Sequence, residues 1–370
     1  MYEGRDDRRK FVIERACRLN MINANGSGNR KEDFATREVG IKAIAEALRL
    51  SASTVSRALN GVPGVNPDTR KLVEKTAKQM GYVPNLGAQQ LVGKRSNLIG
   101  VFVPEFEHEN LSFTEMFSSI QKGTQKNGKD AIFYYVPLVR YEGQRLIESV
   151  QSRNLEACIL FPAFDEFHPI MQEALRIQVP CVNFEGVVGP HCSSVMSDDT
   201  EGGRLAGNRL LDGGHRVIGY IDGPRHLRIC KERYQGFKKA LAEQGVDHPE
   251  DLVAEGDFTA ASGAEAAMKL LRTHPEMTAL FCANDLMAAG AIACFQHEGL
   301  RVPDDISVIG YDDDPFAKFL NPPLTTIRHG KSPVVPLLTE LFEGKPGRLV
   351  IAAPELVERG TVANRQALDG

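Results

Sequence analysis

The sequence predicts two kinds of architecture in one chain. An all-α N-terminal unit with a helix-turn-helix pattern is followed by an α/β core of two lobes built on parallel sheets. Three observations predict this. Between residues 41 and 80 the apolar positions recur at helical spacing between recognisable caps. From Asn97 onward, short β-rich apolar runs alternate with helical stretches. The chain has 370 residues, more than one domain of ~150 residues needs, and the α/β part alone is long for a single open sheet.

Taken in order, residues 1–38 are charge-mixed and poor in periodic apolar positions. The run from Asn20 to Asn29 reads as flexible. Arg5, Arg8, Arg9 and Lys10 fit a solvated tail, with DNA contact as the alternative. In residues 39–83, Ile41, Ile44, Ala45 and Leu48 line one helix face. Arg49-Leu50 interrupts, and Ser51 stands as the N-cap of a second helix carrying Thr54 to Leu59. Asn60-Gly61 ends it. A third helix opens with Asn66 as cap and Pro67 in its first turn. Leu72, Val73, Thr76, Ala77 and Met80 form its inner face, Arg70/Glu74 and Glu74/Lys78 are supporting pairs, and Gly81 closes it. The second helix of such an arrangement enters the major groove with its N-terminal residues towards the bases. Spacing alone fits a generic three-helix bundle equally well.

In residues 96–370 strands are expected at 98–103, 131–136, 157–161, 179–184, 217–221, 279–282 and 306–309, with helices between them. Parallel sheets of this kind are covered on both faces. The cleft at the carboxyl ends of their strands is where small ligands sit.

Composition narrows the function. Hydrophobic residues make up 42% and charged residues 25% of the chain, ordinary for a globular protein. No apolar run reaches the ~18 residues of a membrane span. The N-terminus lacks the apolar core of a secretory signal. Seven cysteines, Cys17, Cys158, Cys181, Cys192, Cys230, Cys282 and Cys294, include no CxxC pair and mostly lie in apolar runs. Free buried thiols in a reducing compartment follow, hence a cytoplasmic protein. The net charge of -4 hides an uneven distribution. Residues 41–95 hold nine basic and three acidic groups, whereas residues 96–370 are net -12. A basic headpiece is attracted to phosphate.

Several motifs now coincide. Ile41-Lys42, Ala45, Ser51 and Thr54-Val55-Ser56-Arg57-Ala58-Leu59-Asn60 are followed by Val65, Thr69-Arg70, Val73 and Met80-Gly81-Tyr82-Val83-Pro84-Asn85. The core adds Gly214-His215-Arg216, Arg233-Tyr234-Gln235-Gly236-Phe237 and Ala283-Asn284-Asp285-Leu286-Met287-Ala288. It continues with Gly299-Leu300-Arg301-Val302-Pro303-Asp304-Asp305-Ile306-Ser307-Val308-Ile309-Gly310-Tyr311-Asp312-Asp313 and Pro322-Pro323-Leu324-Thr325-Thr326-Ile327. Over about residues 39–362 the chain resembles the lactose-repressor family of bacterial transcriptional regulators.

The resemblance implies a helix-turn-helix headpiece, a hinge over residues 84–95 and a periplasmic-binding-protein-like core. It places Ala52, Ser53 and Arg57 at base-reading positions. Arg57 can give two parallel hydrogen bonds to a guanine edge. Ser51, Thr54, Ser56 and Asn60 are phosphate or capping groups, and Tyr82 joins the DNA-contacting set. In the hinge, Asn85 caps a short helix, Ala88 and Gln89 lie along it, and Leu91 is the minor-groove wedge. Gly87 disfavours that helix, so it is expected to order only on DNA. Arg49 stands where the family usually carries glycine. Because arginine at positive φ is unfavourable, a turn of slightly different shape is expected, with Arg49 reaching a phosphate.

For the cleft the resemblance implies effector contacts from Glu185, Arg233, Phe258, Asn284 and Asp312. Their chemistry suits a polyol: carboxylates accept from hydroxyls, Arg233 donates, Asn284 does both, and Phe258 stacks on a sugar ring. An exposed arginine at Arg233, a plain core Phe258 and a capping Asp312 are the alternatives. Glu185 is one methylene longer than the family's usual aspartate. After Ile327 the segment 328–336 is about five residues short, and Pro333 and Pro336 forbid a continuous helix through it. Neither a phosphate-binding glycine loop nor a metal-ligand set emerges, and His215 reads as structural.

The function implied is a homodimeric repressor of a pseudo-palindromic double-stranded operator, controlled by a small-molecule effector and needing no cofactor, metal or membrane. A corepressor- or phosphoprotein-responsive regulator is the alternative. A solute-binding protein would lack the headpiece, and a cleft enzyme would need a nucleophile or cofactor motif that is not there.

Overall fold

A computed structural model describes residues 39–83, 96–105, 114–138, 141–143, 145–162, 164 and 167–365. The N-terminal extension, the hinge with Asn85, Ala88, Gln89 and Leu91, and Cys17 lie outside the described residues. The chain divides into two compact units, Met1–Lys94 and Arg95–Gly370.

In the first unit, α1 (Ile41–Leu48), α2 (Ala52–Leu59) and α3 (Pro67–Gln79) follow the expected pattern. Ile44, Ala45, Val55, Ala58, Val73 and Ala77 are buried together, with Tyr82 packed at their edge. The Ser51 hydroxyl accepts from Thr54 N at 3.0 Å and caps α2. Asn66 caps α3 by accepting from Asp68 N. Arg49 corrects the expected turn. It adopts the left-handed conformation (φ 52°, ψ 42°) that a glycine would take there. The Leu50 N–H returns to Ala45 O at 2.9 Å and the Arg49 N–H to Glu46 O, an ordinary Schellman ending. Arg70, expected to pair with Glu74, instead gives its Nη2 to the carbonyl of Val62.

The second unit holds two six-stranded sheets. Lobe A contains β1 (Leu98–Pro104), β2 (Asp130–Val136), β3 (Ala157–Leu160), β4 (Cys181–Asn183) and β5 (Cys192–Ser197), with α4 (Thr114–Lys126), α5 (Arg145–Arg153) and α6 (Pro169–Ala174). The chain enters lobe B with α7 (Asp199–Asp212). It continues through β6 (Ile218–Asp222), α8 (Arg228–Glu243), β7 (Val253–Glu255), α9 (Ala260–Thr273), β8 (Ala279–Cys282), α10 (Asp285–His297), β9 (Ser307–Asp312) and β10 (Thr325–Arg328). It returns to lobe A with α11 (Val334–Phe342) and β11 (Leu349–Ala352), then closes lobe B with β12 (Glu355–Val357). Strand order is β11-β5-β4-β3-β1-β2 in lobe A and β12-β10-β9-β8-β6-β7 in lobe B. Among the described residues every pairing of these strands is parallel except β10 with β12.

The central strands of each sheet are buried on both faces, as parallel sheets require, while the edge strands β2 and β11 of lobe A are partly exposed. In β1, Ile99, Val101 and Val103 belong to one core and Phe102 to the core on the opposite face. Cys158, Cys181, Cys192, Cys230 and Cys282 are buried free thiols, and Cys294 is half-buried. The strand expected at 179–184 narrows to three residues, and that at 306–309 extends to Asp312. In the short segment after Ile327, β10 runs through Arg328 and α11 opens directly after Pro333, with Pro336 in its first turn. A proline there lacks only an N–H that would have had no helical partner, so the helix is shortened rather than broken.

Candidate functional site

In the headpiece, Ser51, Ala52, Ser53 and Arg57 are exposed along α2, and Thr54, Ser56 and Asn60 are half-exposed. Val55 and Ala58, on the opposite side, are fully buried. One face of α2 therefore anchors the helix and the other offers short polar groups and one guanidinium. Ser51 and Thr54 also meet hydroxyl to hydroxyl at 2.8 Å, and Asn60 Nδ2 donates to Ser56 Oγ at 3.3 Å. These four are partly engaged in holding the helix ends. Arg57 Nη2 donates to the carbonyl of Pro63.

In the second unit, the predicted cleft residues stand at the carboxyl ends of strands or on the helix that faces them. Arg233, on α8, is 3% exposed, which removes the reading of an ordinary surface arginine. Its Nε donates to Asp199 Oδ1 at 2.8 Å and its Nη1 to Ala283 O at 2.6 Å. Asp312 Oδ1 lies 3.9 Å from the same Nη1. The guanidinium carbon sits 3.7 Å from the centre of the Tyr311 ring. Burial opposes its charge, but Asp199, Tyr311 and Asp312 outweigh burial and raise its pKa.

Asp312 ends β9 at φ 111°, and Asp313 follows at φ 58°. Asp312 Oδ1 accepts from His329 Nε2 at 2.9 Å, so it bridges β9 to the segment after β10. Asn284 caps α10 through Met287 N and donates its Nδ2 to Phe258 O at 3.0 Å. Phe258 is half-buried at φ 68°. Its ring edge occupies the space a side chain on Gly223 would need, 2.3 Å from that Cβ position. Strain of this sort, at a non-glycine residue beside a cleft, marks a backbone held in place by its surroundings.

Glu185 follows β4 in lobe A. Its backbone N–H donates to Asn183 Oδ1 at 3.0 Å. Its carboxylate lies 3.7 Å from Arg228 Nη2, on the first turn of α8 in lobe B. Arg228 also donates to Glu232 at 2.6 Å. The structure thus joins four of the five predicted residues into one lobe-B cluster and connects the fifth to lobe B through Arg228.

Sequence reasoning missed Asp199, Asp222, Arg228, Asp285, Tyr311 and His329. Asp222 ends β6, and burial pushes its pKa up to about 6. Asp285 is buried at the start of α10, where it accepts from Thr326 Oγ1 at 2.5 Å and Asp314 N at 2.8 Å. Burial, reinforced by Asp312, raises its pKa. A polar residue closing an apolar strand, as in Ile218-Gly219-Tyr220-Ile221-Asp222, was the signal available for Asp222. Asp199 had none, because its partner Arg233 is distant in sequence, and for Arg228 only the pair with Glu232 four residues on was readable, not the contact with Glu185. Among the described residues no cluster of His, Cys, Asp or Glu is arranged to hold a metal ion. The strand ends thus gather carboxylates, guanidiniums and aromatic rings, groups that can hydrogen-bond to hydroxyls and stack on a ring.

Residues 40–85 match the family of bacterial regulatory proteins described as lacI, and residues 207–362 match a periplasmic binding protein-like domain. The HTH-type transcriptional repressor PurR of Aliivibrio salmonicida (strain LFI1238) is 31% identical over 334 residues, covering 87% of this chain and 98% of the relative. The HTH-type transcriptional regulator CelR of Thermobifida fusca is 32% identical over 321 residues, 85% of this chain and 92% of the relative. Among solved structures, the lac repressor dimer bound to operator and the anti-inducer ONPF matches with a TM-score of 0.73 and 28% identity, covering 88% of this chain and all of that one. A CelR–cellobiose complex matches with a TM-score of 0.63 and 29% identity, again over 88% of this chain and all of that one.

Proposed function

The chain belongs to the lacI family of bacterial regulatory proteins, and from that membership we propose that it represses transcription as a homodimer under the control of a sugar or sugar derivative bound between lobes A and B. It is a sequence-specific DNA-binding transcriptional regulator and not an enzyme. Each headpiece of the dimer reads one half-site of a pseudo-palindromic operator. Arg57 reads a guanine, Ala52 and Ser53 contribute short contacts, and Ser51, Thr54, Ser56, Asn60 and Tyr82 set the register. The hinge residues Asn85, Ala88, Gln89 and Leu91 complete the DNA-contacting set. In the core, Glu185, Arg233, Phe258, Asn284 and Asp312 face the effector. The dimer is supported by the exposure of Phe133 and Tyr135 on the edge strand β2, since such an edge calls for a cover. The protein works in the cytoplasm, where free buried thiols persist. No helix among the described residues is long and apolar enough to cross a membrane.

The observation that carries this reading is a pairing within one chain. A recognition helix with an exposed polar face is followed by a strand-end cleft of carboxylates, guanidinium and aromatic ring. The CelR–cellobiose complex supports a sugar as the ligand class. The test has two arms. A thermal-shift panel of mono- and disaccharides finds the effector, since a ligand at 100 times its Kd adds about 2.7 kcal/mol of stability. That sugar then changes operator affinity by a factor of about 5–150. A fall identifies an inducer and a rise a corepressor. A sugar that binds and leaves operator affinity unchanged overturns the control proposed here.

A further inference from the structure

Arg57 does not extend freely from α2. Its Nη2 donates to the carbonyl oxygen of Pro63 at 2.8 Å, beyond the end of the helix. The preceding carbonyl, that of Val62, receives Nη2 of Arg70 from α3, also at 2.8 Å. Two guanidiniums on two different helices therefore grip consecutive carbonyls of the loop between them. Arg70 Nε is buried and makes no hydrogen bond among the described residues, so the loop carbonyl and packing hold that side chain. The loop can turn these carbonyls inward because Gly61 and Gly64 lie at φ 68° and 95°. At Gly64 space is limiting as well. A Cβ there would stand 2.9 Å from Arg57 Nη2, nearer than real Cβ atoms come.

We propose that the loop 61–64 is a specificity determinant that acts through Arg57: the Pro63 carbonyl sets the guanidinium, Gly64 leaves room for it, and Arg70 fixes the loop. This rests on the reading of Arg57 as the base-contacting residue. An exposed arginine has several rotatable bonds that must be frozen when it meets a guanine. A guanidinium already held by the loop loses less on binding. One of its five N–H groups is used on Pro63, which leaves a parallel pair for the O6 and N7 of guanine. Gly64 and Arg70 are positioning residues and need not touch the base.

The probe is a duplex selected from a random-sequence pool by the full-length wild-type protein, with an unselected duplex of equal length as reference. Gly64→Ala is expected to weaken binding to the selected duplex about tenfold, within the span of one bidentate contact. At fixed salt it should leave the reference duplex unchanged, because that binding is mostly to phosphate. In an Arg57→Ala background the same change should cost nothing further. In 15N-arginine-labelled free protein, the Arg57 side chain should be ordered in the wild type and mobile in Gly64→Ala. Wild-type selectivity and wild-type Arg57 order in Gly64→Ala would overturn the clamp. So would an equal loss with and without Arg57, which would make Gly64 merely structural. If circular dichroism shows that the alanine variant does not fold, Gly64→Asn, better tolerated at positive φ, carries the same measurements. Full affinity of Arg57→Ala for the selected duplex would instead remove Arg57 from base reading, and the clamp would fall with it.

Discussion

A guanidinium buried as deeply as that of Arg233 keeps its charge because Asp199 shares the site, so removing Arg233 leaves a buried carboxylate without its ion pair. Arg233→Ala is expected to lose effector response and also about 3–5 kcal/mol of stability, read by urea unfolding. Replacing the pair by Met and Leu should recover much of that stability and none of the response. A single variant as stable as wild type would deny the pair its structural role. Two other buried groups give a pH signature. Burial, helped by Arg365, Arg209 and Arg216, pushes His215 down to about 4 from the ordinary 6.5. Below pH 6.5 the unfolded chain takes up a proton that the folded chain refuses until about pH 4, so stability falls over that window by about 3 kcal/mol. Asp222 runs the other way. Its folded pKa of about 6 exceeds the ordinary 3.8, so its contribution is full below 3.8 and lost as pH rises through 6, again about 3 kcal/mol. The two nearly cancel between pH 4 and 6.5. Asp222→Asn should therefore make the protein more acid-labile and His215→Gln less so, each against wild type in unfolding at pH 4.5 and 7. Identical pH profiles for all three proteins would show that neither group is perturbed.

Helix pairing explains why the Arg233 motif carries a glycine three residues later. A Cβ on Gly236 of α8 would stand 1.8 Å from Thr200 O on α7, and one on Gly203 of α7 would stand 1.9 Å from Arg233 O. The two helices meet backbone to backbone, which brings Asp199 within reach of Arg233. Gly236→Ala should force them apart and cost at least the ~1–3 kcal/mol of an overpacked core, with weakened effector binding. Lys239→Ala, on the exposed side of α8, should leave the unfolding midpoint unchanged. Equal stability of the two variants would show that the helices can separate freely. This contact also marks the limit of legibility in the sequence. The helix ends in the headpiece were readable because Ser51, Asn66, Pro67 and Gly81 act on neighbours within a few residues. The strands β5, β7, β10, β11 and β12 were not, being short or rich in Ser and Thr. In β5, Ser194 Oγ accepts from Gly186 N and donates to Asn183 O, and Ser193 Oγ accepts from Arg348 N. Hydroxyls satisfied by distant loops look like surface residues in one dimension. Likewise Arg233 was readable as a motif residue, while its partner Asp199 depends on a helix crossing that no local pattern encodes.

Across the whole molecule, charge and ligand chemistry are divided between the two units, with an excess of six positive charges in residues 41–95 and a net charge of -12 in residues 96–370. The salt dependence of operator binding should accordingly track headpiece cations, and a core variant should shift affinity without altering the slope. Arg228 provides that variant. It stands on lobe B, and its contact with Glu185 of lobe A is long at 3.7 Å, while its contact with Glu232 is short at 2.6 Å. With Arg228 28% and Glu185 10% exposed in their side chains, the cross-lobe attraction is partly screened and contributes at most about 1 kcal/mol to stability. If Glu185 accepts from a sugar hydroxyl as proposed, Arg228 competes for the same carboxylate, and its larger effect is expected on the ligand. Arg228→Gln keeps much of the side chain and removes the charge. It should leave the unfolding midpoint within a few degrees and raise effector affinity several-fold, measured by calorimetry with the sugar found in the thermal-shift panel. In the absence of sugar, operator affinity in Arg228→Gln should differ from wild type by no more than a salt-independent factor. A loss of sugar affinity would place Arg228 among the ligand's own contacts, and a changed salt slope would place it on the DNA.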